Sequence, residues 1–265
     1  MSCAYCSVRL NGSSYSLEEL ITVTDNIFRD FDGMVRYEIF GGEPLLEYAT
    51  VFKLLEYVIQ KYDTRVIQYD IYTNATILNE EILSFFIKHK EKMRLCLSLD
   101  GVEESNAERK LNNSNSYAVV SKNLSTILAR GINNRIQFTA HTGNVSYISA
   151  GVKHLYDLGF RNIRVGILCR SAEFKPAQEA LMPDDAYITV FKEEMRKLYA
   201  FVEDHPDLYL RNFTESWETI NRGPFKFEVE RGKLEVDEVC YALNSHVEKI
   251  SRAVYDEYQA FRDNK

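Results

Sequence analysis

Apolar residues recur at helical spacing at Leu17, Leu20, Ile21, Val23, Ile27 and Phe28, then switch to strict alternation at Val35, Tyr37 and Ile39. The first period predicts an amphipathic helix over 17–31, opened by Ser16 and Glu19 as a capping box, and the second predicts a half-buried strand over 35–40. The switch then repeats along the chain. Phe52, Leu55, Tyr57, Val58 and Ile59 give an apolar side to a helix over 47–62, and 66–73 reads as a strand. Asn79 caps a helix ending near Met93, strand 94–99 follows, and a helix over 117–130 stops at Gly131, placed for a left-handed cap. Strand 135–140, a helix over 146–158 stopped by Gly159, and strand 162–168 complete the run. Pro183 opens a long helix to about Glu203, with Asp184 and Asp185 at the positive end of its dipole. Beyond it, 205–240 reads as irregular or β-rich, at 208–213 and 225–229, before a closing helix over 241–261 with Val254, Tyr255, Tyr258 and Phe261 on its packed face.

Strand and helix in alternation predict an α/β fold of parallel strands joined by right-handed crossovers. Five strands follow Met1, and the first helix has no strand before it. The conspicuous polar motifs each fall just after a strand: Gly41-Gly42-Glu43-Pro44, Thr73-Asn74-Ala75, Ser98-Leu99-Asp100-Gly101, Thr142-Gly143-Asn144 and Cys169-Arg170. In a parallel barrel the C-terminal strand ends share one face, which carries the chemistry. These patches converge with Cys3-Ala4-Tyr5-Cys6 on one mouth if that segment ends a missing first strand.

Composition narrows the partners. The chain has 265 residues, 45% hydrophobic and 27% charged, with a formal net charge of −7. No Lys/Arg cluster is long enough to track a phosphate backbone, so nucleic acid is not an expected partner. No run of about 18 apolar residues and no basic-then-apolar leader is present, which predicts a cytoplasmic protein with no membrane partner. Five cysteines, at 3, 6, 96, 169 and 240, are an odd number for a disulfide framework.

Metal ligation or redox chemistry is the better account of the Cys3/Cys6 pair, set against two unremarkable thiols. A zinc knuckle would need a second pair, and the other cysteines stand apart. Two glycines at 41 and 42 let a ligand approach bare backbone, Glu43 can accept from an ammonium group, and Pro44 pre-sets the turn into a helix; the plain reading is a strand-to-helix turn. Cys96 shares a strand face with Ser98 and reads as a small buried thiol before a ligand. Cys169 and His141 lie near the same mouth.

Taken together these motifs resemble the radical S-adenosylmethionine (radical SAM) enzymes, in the branch of anaerobic sulfatase-maturating enzymes and peptide maturases. Cys3-Ala4-Tyr5-Cys6 is similar to the last two cysteines of the C-x-x-x-C-x-x-C signature, Phe40 to Leu46 to the GGEP motif, Tyr72 to Ala75 to a Thr-Asn-Gly-like turn, and Leu97 to Gly101 to a Ser-x-Asp-Gly turn. The resemblance covers residues 1–170. It implies a partial (β/α)6 TIM-like barrel, with 1–204 as the core lacking its first strand and 205–265 as a C-terminal extension ending in a helix.

The resemblance also implies that Cys3 and Cys6 ligate a 4Fe-4S cluster whose open iron is chelated by S-adenosyl-L-methionine. Tyr5 would contact the adenine, Gly41, Gly42 and Glu43 the methionyl ammonium, and Ser98 the carboxylate or ribose side, with Asn74 in the same set. Lys110, with Arg109 beside it, stands where the family carries a basic residue. The implied reaction is one-electron reductive cleavage of the sulfonium, fed by a low-potential donor, giving a 5′-deoxyadenosyl radical that abstracts hydrogen from a peptide or protein substrate. A different reading is a truncated or degenerate barrel that binds a peptide and holds no cluster. A thioredoxin-like oxidoreductase leaves the motif at 41–44 unexplained.

The signature's first cysteine would lie four positions before Cys3, ahead of Met1, as would the first barrel strand. One missing segment would account for both, which predicts that Met1 is an internal methionine and that the 265 residues are inactive or poorly active by themselves. After residue 170 only Cys240 remains, so the auxiliary clusters of the peptide-maturase branch are not expected.

Overall fold

The computed structural model describes residues 1–6, 14–168, 176–214, 227–230, 233–236 and 238–264. A short strand β1 (Ser2–Cys3) precedes helix α1 (Leu17–Asp30), whose first turn is closed by the expected box: Glu19 N donates to Ser16 Oγ at 3.3 Å and Ser16 N to Glu19 Oε2 at 2.8 Å. Strand β2 (Val35–Ile39), a 3₁₀ turn (Pro44–Glu47) and α2 (Tyr48–Tyr62) lead to β3 (Val66–Thr73). Next come α3 (Glu80–Lys88), β4 (Met93–Ser98), the hairpin strands β5 (Arg109–Leu111) and β6 (Ser114–Asn115), and α4 (Tyr117–Ala129). Then follow β7 (Asn134–Ala140), α5 (Ile148–Asp157), β8 (Asn162–Ile167), α6 (Pro176–Glu179), α7 (Asp185–Arg196) and α8 (Tyr199–Asp204). Strand β9 (Tyr209–Leu210), α9 (Arg211–Thr214), the antiparallel pair β10 (Phe227–Glu230) and β11 (Lys233–Val236), and a closing helix (Glu238–Asp263) end the chain.

Six strands form one parallel sheet in the order β2-β3-β4-β7-β8-β9. The five long ones are those the alternation predicts; the sixth, β9, adds two residues at the far edge beside β8. Strand β1 stays out of this sheet and pairs antiparallel with β5. Among the described residues, nothing pairs with the other edge, β2.

One face of the sheet is the core. Tyr69, Ile71, Leu95, Leu97, Ile136, Phe138, Ile163 and Val165 alternate along four strands and bury against Leu55, Val58, Ile82, Phe86, Leu124, Val152 and Leu155 of the helices. Each fully buried aliphatic or aromatic side chain contributes about 1.5–3 kcal/mol, so this layer fixes the register of these four strands. The extension joins the same core: Tyr258 of the closing helix stacks on Phe213 at 4.3 Å, and Val254 and Ile250 are buried beside it.

Two element boundaries differ from the sequence-based expectation. Helix α3 ends at Lys88, not near Met93, because Met93 N turns back to His89 O at 3.0 Å and Met93 is needed in the sheet opposite Tyr69. The helix expected to run to Glu203 breaks between Arg196 and Tyr199, where Leu198 is buried in the core and its N–H reaches back three residues to Met195 O. Among the described residues, no helix is long and apolar enough to cross a membrane.

Candidate active site

The two N-terminal thiols sit in one turn. Cys3 pairs with Arg109 across the β1/β5 ladder, Ala4 N donates to Glu108 O at 3.0 Å, and Cys6 N closes on Cys3 O at 3.2 Å. Both thiols are partly exposed, and the Gln178 carboxamide ties the turn down by donating to Tyr5 O and Cys6 O at 3.0 Å each. Burial raises the Cys3 pKa, with Arg109 pulling the other way.

Behind the turn lies a buried polar brace. Tyr5 donates its phenol to Asp100 Oδ2 at 2.5 Å, Arg109 Nη1 donates to the same phenol oxygen, and Arg109 Nη2 donates to Ser98 O at 3.0 Å. Asp100 Oδ1 accepts from Thr139 N at 2.8 Å, and Arg109 Nη1 stands 3.6 Å from Asp100 Oδ2. Burial works against the Arg109 charge, yet the oxygens of Tyr5 and Asp100 hold its pKa above the usual guanidinium value. The brace thus joins the N-terminal turn, the ends of β4 and β7, and β5.

The loop after Asp100 depends on Gly101, whose φ is +85° and where an added Cβ would lie 2.6 Å from Gly151 Cα and 2.8 Å from Phe138 Cε2. No other residue fits there without moving α5.

His141 packs its ring 5.1 Å from that of Tyr5 and is fully buried. Its Nδ1 accepts from Gly143 N at 3.1 Å, which places the proton on Nε2, and Nε2 has no hydrogen-bond partner among the described residues. Burial, and then Arg109, push its pKa down to about 4, so the imidazole is neutral near pH 7.

Across the mouth, Glu43 fastens the end of β2 to the end of β3. Its Oε1 accepts from Thr73 Oγ1 at 2.6 Å and Leu45 N at 3.1 Å, and its Oε2 from Asn74 N at 2.7 Å. Burial raises its pKa and these three donors oppose the rise. An added Cβ on Gly41 would meet nothing within 4 Å, so the backbone beside this carboxylate is open. Asn74 turns its Oδ1 back to Thr76 N at 2.9 Å, and Ala75, where the motif carries glycine-like geometry, has φ +55°.

The structure therefore gathers Tyr5, Asp100, Arg109, Ser98 and His141 on one side of the mouth and Gly41, Gly42, Glu43 and Asn74 at the ends of β2 and β3. It leaves Lys110 exposed: alternation along β5 turns its neighbour Arg109 inward and Lys110 out. Cys96 lies on the inner face of β4, where Arg135 Nη2 donates to its Sγ at 3.1 Å and burial pushes its pKa up to about 12. Cys169 lies outside the described residues. Among those residues, no group of three or more His, Cys, Asp or Glu could hold a metal ion. Sequence reasoning missed Gln178, which lies in no motif, and treated Asp100 and Arg109 as motif neighbours, with only the Asp-Gly pair as a signal.

Residues 1–167 match the radical SAM superfamily, and the chain belongs to it. Members of this family carry a 4Fe-4S cluster and use S-adenosylmethionine. The chain is 26% identical over 244 residues to an uncharacterized protein of Methanocaldococcus jannaschii, covering 88% of this chain and 79% of that one. It is 24% identical over 162 residues to the antilisterial bacteriocin subtilosin biosynthesis protein AlbA of Bacillus subtilis, covering 60% of this chain and 35% of that protein. In fold it is similar to anSMEcpe with bound AdoMet and Kp18Cys peptide, at a TM-score of 0.70 and 18% identity, covering 83% of this chain and 62% of the other. The chain thus spans about three fifths of the length of that solved structure.

Proposed function

We propose that this protein reductively cleaves S-adenosylmethionine at a 4Fe-4S cluster held in part by Cys3 and Cys6, and that it acts on a peptide or protein. The observation that supports this best is the pair of partly exposed thiols in one turn, braced from behind through Tyr5, Asp100 and Arg109 at the C-terminal ends of a parallel sheet. Two soft thiolates in one turn suit an iron–sulfur cluster and supply two of the three that the family signature carries. When bound, the cluster and S-adenosylmethionine supply an electron and a 5′-deoxyadenosyl radical able to take hydrogen from an unactivated carbon.

The chain's own residues hold and orient. The bare backbone at Gly41 and Gly42, with Glu43 locked by three donors, offers carbonyl and carboxylate oxygen to the methionyl ammonium. Ser98 and Asn74 line the same mouth. Tyr5 is the keystone of the cluster turn, its hydroxyl committed to Asp100 and Arg109, so only its ring is left to face an adenine. Arg109 takes the inward position beside Ser98, and Lys110 is not in the proposed set. His141, neutral and with its Nε2 proton unpartnered among the described residues, is a hydrogen-bond donor behind the mouth. The peptide-bound neighbour and the bacteriocin biosynthesis protein support a peptide substrate, and a cytoplasmic site with a low-potential donor fits a cluster that must be reduced.

The test is anaerobic reconstitution with iron and sulfide, followed by assay of 5′-deoxyadenosine under reductant. Brown protein with thiolate-to-iron absorbance that yields 5′-deoxyadenosine, and loses both in Cys3→Ala and Cys6→Ala, supports the proposal. A colourless protein that still binds peptide would favour a non-catalytic barrel, a reading motivated by the presence of two thiols rather than three in the turn.

A further inference from the structure

The face of the sheet turned away from the helices is polar and charged. Register sets its side chains in lateral rows: Asp70 with Arg94; Tyr72 with Cys96 and Arg135; Ser98 with Gln137 and Arg164; Thr139 with Gly166. Three guanidinium groups surround the Asp70 carboxylate in this cleft, and the exposed Glu38 lies beside it in register, accepting from Tyr72 Oη at 3.4 Å. Asp70 is fully buried and takes Arg94 in a fork, Nε to Oδ1 at 2.9 Å and Nη2 to Oδ2 at 2.8 Å, with Arg135 at 3.5 Å and Arg36 at 3.7 Å.

Arg135 also donates through Nη2 to Tyr72 Oη at 3.0 Å, while its Nη1 is buried with no partner among the described residues. Arg164, half-buried one row nearer the mouth, makes no hydrogen bond or ion pair among the described residues. Burial, then Arg211 and Arg135, lower its pKa, while Tyr72 and Glu38 pull the other way. A half-buried guanidinium with no counter-charge beside it among the described residues is less favourable than one that an anion reaches.

Gly166, one step nearer the strand's C-terminal end on the same face, has an ordinary φ, and a Cβ there would meet nothing nearer than Phe138 O at 3.7 Å. Neither packing against the described residues nor backbone requires glycine at this place, and the row above Arg164 carries no side chain there.

We infer that Arg164, with Arg135 beside it, forms a carboxylate-binding site in the concave face of the sheet, and that the peptide received at the mouth docks an acidic side chain there. The inference rests on the proposed function and names its substrate class. A carboxylate is the fitting anion because the uncompensated groups are one guanidinium and one N–H of a second, which balance a single negative charge in the planar fork that arginine offers.

The experiment is calorimetric titration of the full chain with N-acetyl-glutamate amide, N-acetyl-glutamine amide and inorganic phosphate. The glutamate probe is expected to bind about tenfold more tightly than the glutamine probe. That preference disappears in Arg164→Gln, is partly restored in Arg164→Lys, and is unchanged in the control Arg36→Gln. Equal binding of the two amides, no binding of either, or a preference that survives Arg164→Gln overturns the inference, as does Arg164-dependent binding of phosphate alone. Formation of 5′-deoxyadenosine without peptide, measured in parallel, separates the two levels. Its absence in the wild-type protein sinks the proposed function, whereas its retention in Arg164→Gln alongside a lost glutamate preference locates the defect at the docking site.

Discussion

The phenol of Tyr5 donates to the carboxylate of Asp100 at 2.5 Å, across 95 residues of sequence, inside a site where both residues are buried. This contact, doubled by the Arg109 guanidinium on the same phenol oxygen, ties the turn that carries Cys3 and Cys6 to the ends of β4 and β7.

Tyr5→Phe removes the shared hydroxyl and leaves Asp100 and Arg109 facing each other at 3.6 Å. Unfolding in urea is expected to show a loss of about 1–3 kcal/mol, the usual effect of leaving buried polar groups short of a partner. Iron bound per chain after reconstitution should fall as well, because the turn is no longer held. Unchanged stability and iron content together would contradict the bracing role.

Arg109 and Lys110 should separate cleanly. Arg109→Gln leaves the buried Asp100 carboxylate without its cation and is expected to destabilise the fold by about 3–5 kcal/mol. Lys110→Ala, on the exposed side of β5, should change stability by less than about 0.5 kcal/mol. Denaturant midpoints of the two variants measure the contrast.

Gly101→Ala places a methyl group 2.6 Å from Gly151 Cα at a φ of +85°. Strain and overpacking together predict a loss of about 2–4 kcal/mol, read as a lowered melting temperature. A wild-type melting temperature would show that the loop and α5 separate easily.

His141 gives the stability a pH dependence of known sign. Its pKa falls from an ordinary 6.5 to about 4 on folding, so between those values the unfolded chain binds a proton that the native chain does not. Its contribution is complete above about pH 6.5 and is lost as pH falls toward 4, amounting to about 3 kcal/mol over the window. Urea unfolding at pH 7.5 and pH 5 should show about 2 kcal/mol of this loss in the wild-type protein and a smaller loss in His141→Gln.

Thiol labelling should follow exposure. A maleimide is expected to modify Cys3 and Cys6 in the native apoprotein, while Cys96, buried against Arg135, reacts only after unfolding. Mass spectrometry of peptides from native and denatured samples decides it, and rapid native labelling of Cys96 would contradict its placement.

Much of the fold is legible in the local pattern. Strand 66–73 and the caps at Ser16 and Asn79 can be read directly, because alternation and capping are properties of a few neighbouring residues. The end of α3 is not, since what stops that helix is the pairing of Met93 with Tyr69, a contact 24 residues away in sequence. For the site, the motifs at 3–6, 41–44 and 98–101 announce which strand ends carry the chemistry. They do not say that Arg109 rather than Lys110 turns inward, because β5 is three residues long and only its ladder with β1 sets the phase.

The sequence by itself determined the alternation of strands and helices, the five long strands, and the cysteine and glycine motifs that mark one end of the sheet. All of these are written in spacings shorter than a single element. Only the tertiary structure decided that Tyr5, Asp100 and Arg109 form one buried brace, that Gln178 reaches back to the cysteine turn, and that Arg36, Arg94 and Arg135 gather around Asp70. Those relationships join residues many tens of positions apart, and a buried polar group finds its partner through the packing of whole elements, which no local pattern encodes.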